Sequence, residues 1–318
     1  MSTVTIHDIA KRAGLNPSTV SRALRGDLRV RKKTRNMIFA LADEMNYVPN
    51  LNAKTLANGK TYRIAFLMNS LYNGIEQEPA MVANRLLDEK GYTAAILLCS
   101  GSNQIFMRRL DQLAQKFCDG ALVIPNFYSD EVLRKMESLP CPLVFVDRWP
   151  KGTHFPVVTT DQKKAVELLF AEAEKNGYDA ALVRFGKGNI VSEERLNALV
   201  SLLKKNEKPF FLNNEDFHKW RKKNRCSGLC IFGDTVPSHE FLQELFPEKK
   251  MRPKQLIGCG FDRIDPESTI FFDKIHICIQ DFKSIGEKAV LVILGLLEGE
   301  KRSGKIYRIP PVGIRTIR

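Results

Sequence analysis

The first 46 residues alternate apolar and polar positions at helical spacing, broken by glycines. Thr5, with Asp8 three residues on, makes a capping-box-like start, after which Ile6, Ile9, Ala10 and Ala13 share one face. Gly14 breaks that helix. Asn16-Pro17 offers an N-cap followed by proline at the first helical position, opening a second helix through Val20 and Leu24 that Gly26 ends. A third helix is predicted from about Lys32 to Asn46, with Ile38, Leu41, Ala42 and Met45 at i, i+3, i+4, i+7. The small residues Ala10, Ala13 and Ala23 allow close helix approach. Two short helices joined by a glycine-containing turn form a helix-turn-helix, whose second helix can enter the major groove of DNA.

Beyond Thr61 the pattern becomes strand-like apolar runs alternating with amphipathic helices. Strands are expected near Arg63–Met68, Ala94–Cys99, Ala121–Ile124 and Leu143–Val146, then near Ala180–Phe185, Phe210–Leu212, Leu229–Phe232 and Leu256–Gly260. Helices are expected at Met81–Lys90, Phe106–Phe117, Lys163–Asn176, Glu194–Lys205 and Lys283–Glu298. Such alternation predicts parallel sheets covered by helices on both faces. Two sets of strands predict two sheets, with a ligand cleft at the strands' carboxyl ends. No internal repeat or low-complexity tract is visible.

Charge sharpens the reading of the helical segment. The chain has 318 residues and a formal net charge of +13. Residues 1–62 hold eleven Lys and Arg against four Asp and Glu, so over half of the excess sits in a fifth of the length. That asymmetry is the footprint of a polyanion-binding module. The run His218–Arg225 is also basic, but a solvated helix face accounts for it. Apolar runs such as Ala289–Leu297 fall well short of a bilayer span, and the amino-terminal residues lack the apolar stretch of a secretory signal. A soluble, cytoplasmic protein without membrane contact is expected.

Seven scattered cysteines suit reduced thiols, and the grouping of Cys226 and Cys230 with His218 and His239 has no zinc-site spacing. Gly186-Lys187-Gly188 follows a strand, yet Val191 stands where a dinucleotide fingerprint needs its third glycine. The five histidines show no metal or triad spacing. Neither an enzyme, a metal nor a cofactor is expected. A transport binding protein would also have two lobes, but it would be exported and would not begin with a helix-turn-helix.

The strings Val4–Ala10, Ala13-Gly14-Leu15 and Ser18–Leu24, continued by Thr34-Arg35, Asn46–Asn50, Ala53–Leu56 and Gly59-Lys60-Thr61, closely resemble the lactose/galactose-repressor (LacI/GalR) family of bacterial transcription regulators. Val144–Ala165 is most similar to its fructose-responsive branch, and Pro310–Arg315 resembles the family's terminal strand. The resemblance implies an all-α helix-turn-helix domain at residues 1–48 and a hinge helix or linker at 49–61. Residues 62–318 would then form an α/β, two-lobed, periplasmic-binding-protein-like core with parallel sheets.

It also implies roles. Asn16, Pro17, Ser18 and Arg22 sit where the family reads bases, and Arg22 can fork onto guanine O6 and N7. Thr5, Thr19, Ser21, Arg25 and Arg29 are placed for phosphates. In the hinge, Leu56 would wedge into the minor groove, with Asn50, Ala53 and Lys54 alongside. Asp147, Arg148, Asp161, Arg195 and Asp262, together with Tyr72 and Phe282, match effector-binding positions. Carboxylates there accept from hydroxyls and arginine donates in a planar fork. The chain departs from the family pattern between Arg195 and Gly233-Asp234, where it is shorter. It departs again at Phe271–Ile279, which replaces a threonine-rich segment read as cleft wall. The expectation is a DNA-binding repressor acting as a homodimer (no coiled-coil tail follows Arg318) on a double-stranded operator, modulated by a sugar or sugar phosphate. The alternative is a constitutive regulator with a vestigial cleft.

Overall fold

A computed structural model describes residues 4–48, 59–72, 74–124, 129–262, 264, 266–301 and 304–317, with backbone alone at 75 and 249. The chain divides into two compact units, Met1–Thr61 and Tyr62–Arg318.

In the first unit, helix α1 (Ile6–Ala13) begins with the full capping box. The Asp8 carboxylate accepts from the Thr5 N–H at 2.8 Å, and the Thr5 hydroxyl accepts from the Asp8 N–H at 3.4 Å. Gly14, at φ +64°, supplies the left-handed turn that ends it. Helix α2 (Pro17–Leu24) starts at Asn16, whose Oδ1 accepts from the Ser18 N–H at 2.9 Å. Helix α3 (Lys32–Glu44) stops two residues before the predicted Asn46, which turns back at φ +51°. Ile9, Ala10, Val20, Ala23, Val30, Ile38 and Ala42 form the small core.

The second unit opens with strand β1 (Arg63–Met68), helix α4 (Gly74–Glu89), β2 (Thr93–Leu98), α5 (Asn103–Ala114), β3 (Gly120–Val123), α6 (Asp130–Glu137), β4 (Leu143–Val146) and β5 (Val157–Thr160). Helix α7 (Gln162–Glu174) then leads into β6 (Ala180–Arg184), α8 (Ile190–Lys205), β7 (Phe210–Phe211), α9 (Asn214–Arg221), β8 (Gly228–Gly233), α10 (His239–Leu245), β9 (Gln255–Phe261) and β10 (Lys274–Ile279). Helix α11 (Phe282–Leu297), β11 (Ile306–Ile309) and β12 (Gly313–Ile317) complete it.

The strands make two six-stranded sheets, ordered β11-β5-β4-β3-β1-β2 and β12-β10-β9-β8-β6-β7. Every pairing is parallel except β10 with β12. Each sheet carries helices on both faces: α4 and α11 against α5 and α6 in the first lobe, α7 and α8 against α9 and α10 in the second. The chain passes between lobes after β5, after β10 and between β11 and β12. These crossings bind one another. The Thr160 hydroxyl donates to Gln280 Oε1 at 2.6 Å, the Asp161 N–H to Ile309 O at 2.8 Å and the Val312 N–H to Ile279 O at 2.9 Å.

Several expectations need correction. Lys274–Ile279, inside the Phe271–Ile279 segment where the chain departs from the family pattern, is a buried strand of the second sheet whose apolar residues pack on both faces. Helix α4 begins at Gly74 rather than Met81; Pro79 lies in its second turn, where the missing N–H removes a single helical hydrogen bond. The basic run His218–Arg225 is not uniformly solvated. Trp220 packs 5.3 Å from Phe211 between ring centroids, and Arg221 donates to Met251 O, while Lys219, Lys222, Lys223 and Arg225 face water.

Helices α4 and α11 pack backbone against backbone at Gly286. A Cβ there would stand 2.6 Å from Pro79 O and 3.1 Å from Val82 Cβ, so only glycine lets the backbones meet. Gly286→Ala should therefore cost about 1–3 kcal/mol through overpacking, read as a lower urea midpoint. An unchanged midpoint would show that the two helices part without penalty.

Candidate nucleic-acid surface and interlobe cleft

The cap at Asn16 and the proline after it set the start of α2, and that start decides which residues face outward. Val20 and Ala23 turn into the core, whereas Asn16, Ser18, Arg22 and Arg25 are exposed and Pro17, Thr19 and Ser21 are half-buried. Arg22 lies along the helix, donating through Nε to Ser18 O at 3.2 Å and through a terminal nitrogen to Ser18 Oγ at 3.4 Å. Arg25 donates to Ser21 O at 3.2 Å. Thr5 is exposed, but its hydroxyl also donates to Asp8 Oδ2 at 2.7 Å, so it serves the cap first. Arg29 forks onto Asp27 at 2.7–3.1 Å and holds that carboxyl down at about 2. Any phosphate contact by Arg29 competes with Asp27. Asn50, Ala53, Lys54 and Leu56 lie outside the described residues.

In the core, Asp147 and Asp262 occupy matching places. Asp147 follows β4 at φ +66°, its N–H donating to Val158 O at 2.9 Å; Asp262 follows β9 at φ +51°, its N–H donating to Cys278 O at 3.1 Å. Aspartate tolerates this left-handed backbone better than most residues. Arg195, in the second turn of α8, is 5% exposed. It donates to Gln162 Oε1 at 2.7 Å and to Asp234 Oδ1 at 3.0 Å, and its guanidinium carbon lies 3.5 Å from the centroid of the Phe261 ring. The other Asp234 oxygen accepts from the Gly186 N–H and the Ser192 hydroxyl, both at 2.7 Å. Asp262 accepts from the Gln280 N–H at 3.0 Å and from the Gln280 amide.

The sequence-predicted effector residues divide accordingly. Asp147, Arg148, Arg195 and Asp262 gather at the strand ends, with Arg148 Nε 3.5 Å from Asp147 Oδ2. Asp161 caps α7, accepting from the Lys164 N–H at 3.0 Å. Phe282, at the start of the apolar helix α11, is buried among the first lobe's core residues. Tyr72 is 91% exposed and stands outside the buried group. Gln162, Asp234, Phe261 and Gln280 were not singled out as site residues. Their signal was position, since each borders a crossover or a strand end.

Burial pushes the Asp147 carboxyl above the usual range, opposed by Arg148 and then Arg195. Asp262 is also raised by burial, against its Gln280 hydrogen bonds and Arg195. Buried Asp147 Oδ1 and Gln162 Nε2 have no hydrogen-bond partner among the described residues. An acceptor and a donor without partners in one cleft suit a polar ligand or water.

With its pKa raised on folding, Asp147 carries more proton in the folded than in the unfolded chain just above the ordinary carboxylate value. Its contribution to stability therefore falls as pH rises through that window. Asp147→Asn removes this titration. The variant's stability relative to wild type should climb from about pH 4 upward, measured as urea midpoints across pH. A flat difference would mean that Asp147 ionises in the fold without penalty.

Residues 5–50 match the model of the bacterial regulatory proteins of the lacI family. Over 319 residues the chain is 27% identical to the ribose operon repressor of Halalkalibacterium halodurans, covering 96% of this chain and 94% of the relative. It is 25% identical to the ribose operon repressor of Bacillus subtilis over 99% of this chain and 98% of that one. Among solved structures, the lac repressor dimer bound to operator and an anti-inducer superposes with a TM-score of 0.74. That match has 17% identity and covers 100% of this chain and 98% of that one.

Proposed function

We propose that the chain is a member of the lacI family of bacterial regulatory proteins, a transcriptional repressor that binds a palindromic operator as a homodimer and responds to a small molecule held between its lobes. The observation that carries this reading is helix α2. Its cap leaves Asn16, Ser18 and Arg22 exposed along one edge of a strongly basic unit. Phosphate contacts from the half-buried Thr19 and Ser21 and from Arg25 fix the register, while Arg22 discriminates guanine. Residues 49–61 serve as the hinge, with Leu56 unstacking a base step in the minor groove.

Dimerisation is supported by apolar side chains left in water on neighbouring elements of the first lobe. Met81 on α4 is 64% exposed and Ile96 on the edge strand β2 is 52% exposed. The relatives repress ribose operons by name, which supports a sugar or its phosphate as effector. Such a regulator works in the bacterial cytoplasm, and no described helix is long and apolar enough to cross a membrane. A second reading, constitutive DNA binding, has one specific observation in its favour. Asp234 and Gln162 already engage Arg195, the arginine that would otherwise meet the effector.

Selection of bound sequences from a random DNA pool, with and without ribose, fructose and their phosphates, tests both readings. A recovered palindrome whose binding changes with one of these supports regulation; a palindrome indifferent to all of them supports the constitutive reading. Against the selected site, Arg22→Ala should cost about 1–3 kcal/mol and leave random DNA far less affected. Equal weakening on random DNA would make Arg22 a phosphate contact. Leu56→Ala should lower affinity and bending together, and unchanged bending in a circular-permutation gel would remove the wedge.

A further inference from the structure

Residues 63–318 carry a surplus of only six positive charges, yet three short segments of the second lobe carry a surplus of nine. They are the last turns of α8, α9 and α10 with the loops that follow, residues 202–209, 218–227 and 242–254, and they hold twelve Lys and Arg against three Glu. The loops lead into β7, β8 and β9. Those strands lie in one parallel run of the sheet, ordered β9-β8-β6-β7, so the loops emerge together at its amino end. With strands about 4.8 Å apart, they span roughly 14 Å. Asp234 and Asp262, which follow β8 and β9, mark the opposite end.

Cations at the carboxyl ends of helices complement the helix dipole, and the first lobe shows how much surplus that requires. There the last turns of α4, α5 and α6 with their loops, residues 86–92, 111–119 and 134–142, hold four Lys and Arg against five Asp and Glu. The dipole therefore leaves the second lobe's surplus unexplained. Nor is the surplus neutralised in place. Lys204, Lys205, Lys222, Lys223, Arg225 and Lys254 are exposed and make no ion pair among the described residues. Asp179, in the intervening loop before β6, is engaged by backbone, accepting from the N–H groups of Ser227 and Gly228. A merely solvated surface intersperses both signs of charge.

The chemistry of the face also selects its partner. A protein partner is held by apolar or aromatic anchors at the centre of the contact. None of the exposed large apolar side chains among the described residues falls in the three segments. Phosphates require only cations, and 14 Å of duplex presents roughly eight of them. We propose that the amino ends of β7, β8 and β9 form a second DNA-binding face, which holds a duplex by its phosphates without reading sequence. The face belongs to the second compact unit, so it acts beside α2 rather than through it. A chain holding an operator can then hold a further stretch of DNA of any sequence.

The test is capture of a second duplex. The selected operator duplex is tethered to a surface, loaded with the full chain, washed, and offered a labelled random-sequence duplex at about 50 mM salt, where phosphate contacts are strong. Wild type should capture it. Replacing Lys222, Lys223, Arg225 and Lys254 by Gln should reduce capture at least tenfold and leave operator binding unchanged. If that variant melts lower than wild type, Lys223→Gln with Lys254→Gln carries the test. Replacing Lys90, Arg108, Lys116 and Arg134 of the first lobe by Gln removes the same charge elsewhere and should leave capture intact; an equal loss there would overturn the face. No capture by wild type, or undiminished capture by the second-lobe variant, would overturn it as well. Stronger capture of single-stranded RNA or of phosphatidylserine vesicles would overturn the duplex assignment. Should the chain hold no operator, binding of the random duplex to the free chain makes the same comparison, so failure of the repressor reading stays distinct from failure of this face.

Discussion

A guanidinium keeps its proton at any physiological pH, so burying Arg195 to 5% exposure obliges the chain to surround it with acceptors. That requirement organises the second lobe's end of the cleft. Asp234 must stand at the end of β8, Gln162 must open α7 pointing inward, and Phe261 must lie flat beneath the charge. Asp234 in turn ties down the Gly186 backbone and Ser192, so three segments after three strands converge on one cation. Gln162 comes from the crossing that leaves the first lobe, which links the buried charge to the point where the lobes join.

Asp147 and Asp262 show how alike the lobes are beneath unrelated sequences. Both sheets have the same strand order, and each acid follows the same strand of its sheet, with a left-handed backbone and its N–H on the neighbouring strand. The cleft floor thus presents one buried acid from each side. Only the second is met by an amide, from Gln280; the first has Arg148 beside it. The floor is symmetric in backbone and asymmetric in charge.

Much of this was legible from residue order. The capping box at Thr5 and Asp8, Gly14 and Asn16-Pro17 act within a few residues of themselves, so the helix-turn-helix could be read directly. The central strands were equally plain, since both of their faces are apolar. Lys274–Ile279 is harder to read as a full strand because Lys274 and His276 break its apolar run. His276 is nevertheless buried, held by Asn176 and Thr316, and nothing local announces those partners. The same limit hid Arg195's surroundings. Its acceptors lie 33 and 39 residues away, and only the packed fold shows that they occupy positions a ligand might have filled.

The three crossings also govern the order in which the chain can finish folding as it is made. The first lobe's sheet has five of its strands by Thr160, but one face of it is covered by Phe282, Ile285, Ala289, Val290, Val292 and Ile293 of α11, and its last strand is β11. At a synthesis rate of roughly 10 residues per second, the roughly 120 intervening residues take on the order of 12 seconds to emerge. Through that interval the nascent first lobe displays an apolar sheet face and an unpaired β5 edge, while most of the second lobe is still being translated. An open sheet edge is a template for other chains. Truncations ending before α11 would leave that face and edge uncovered and should be far less soluble than the whole chain.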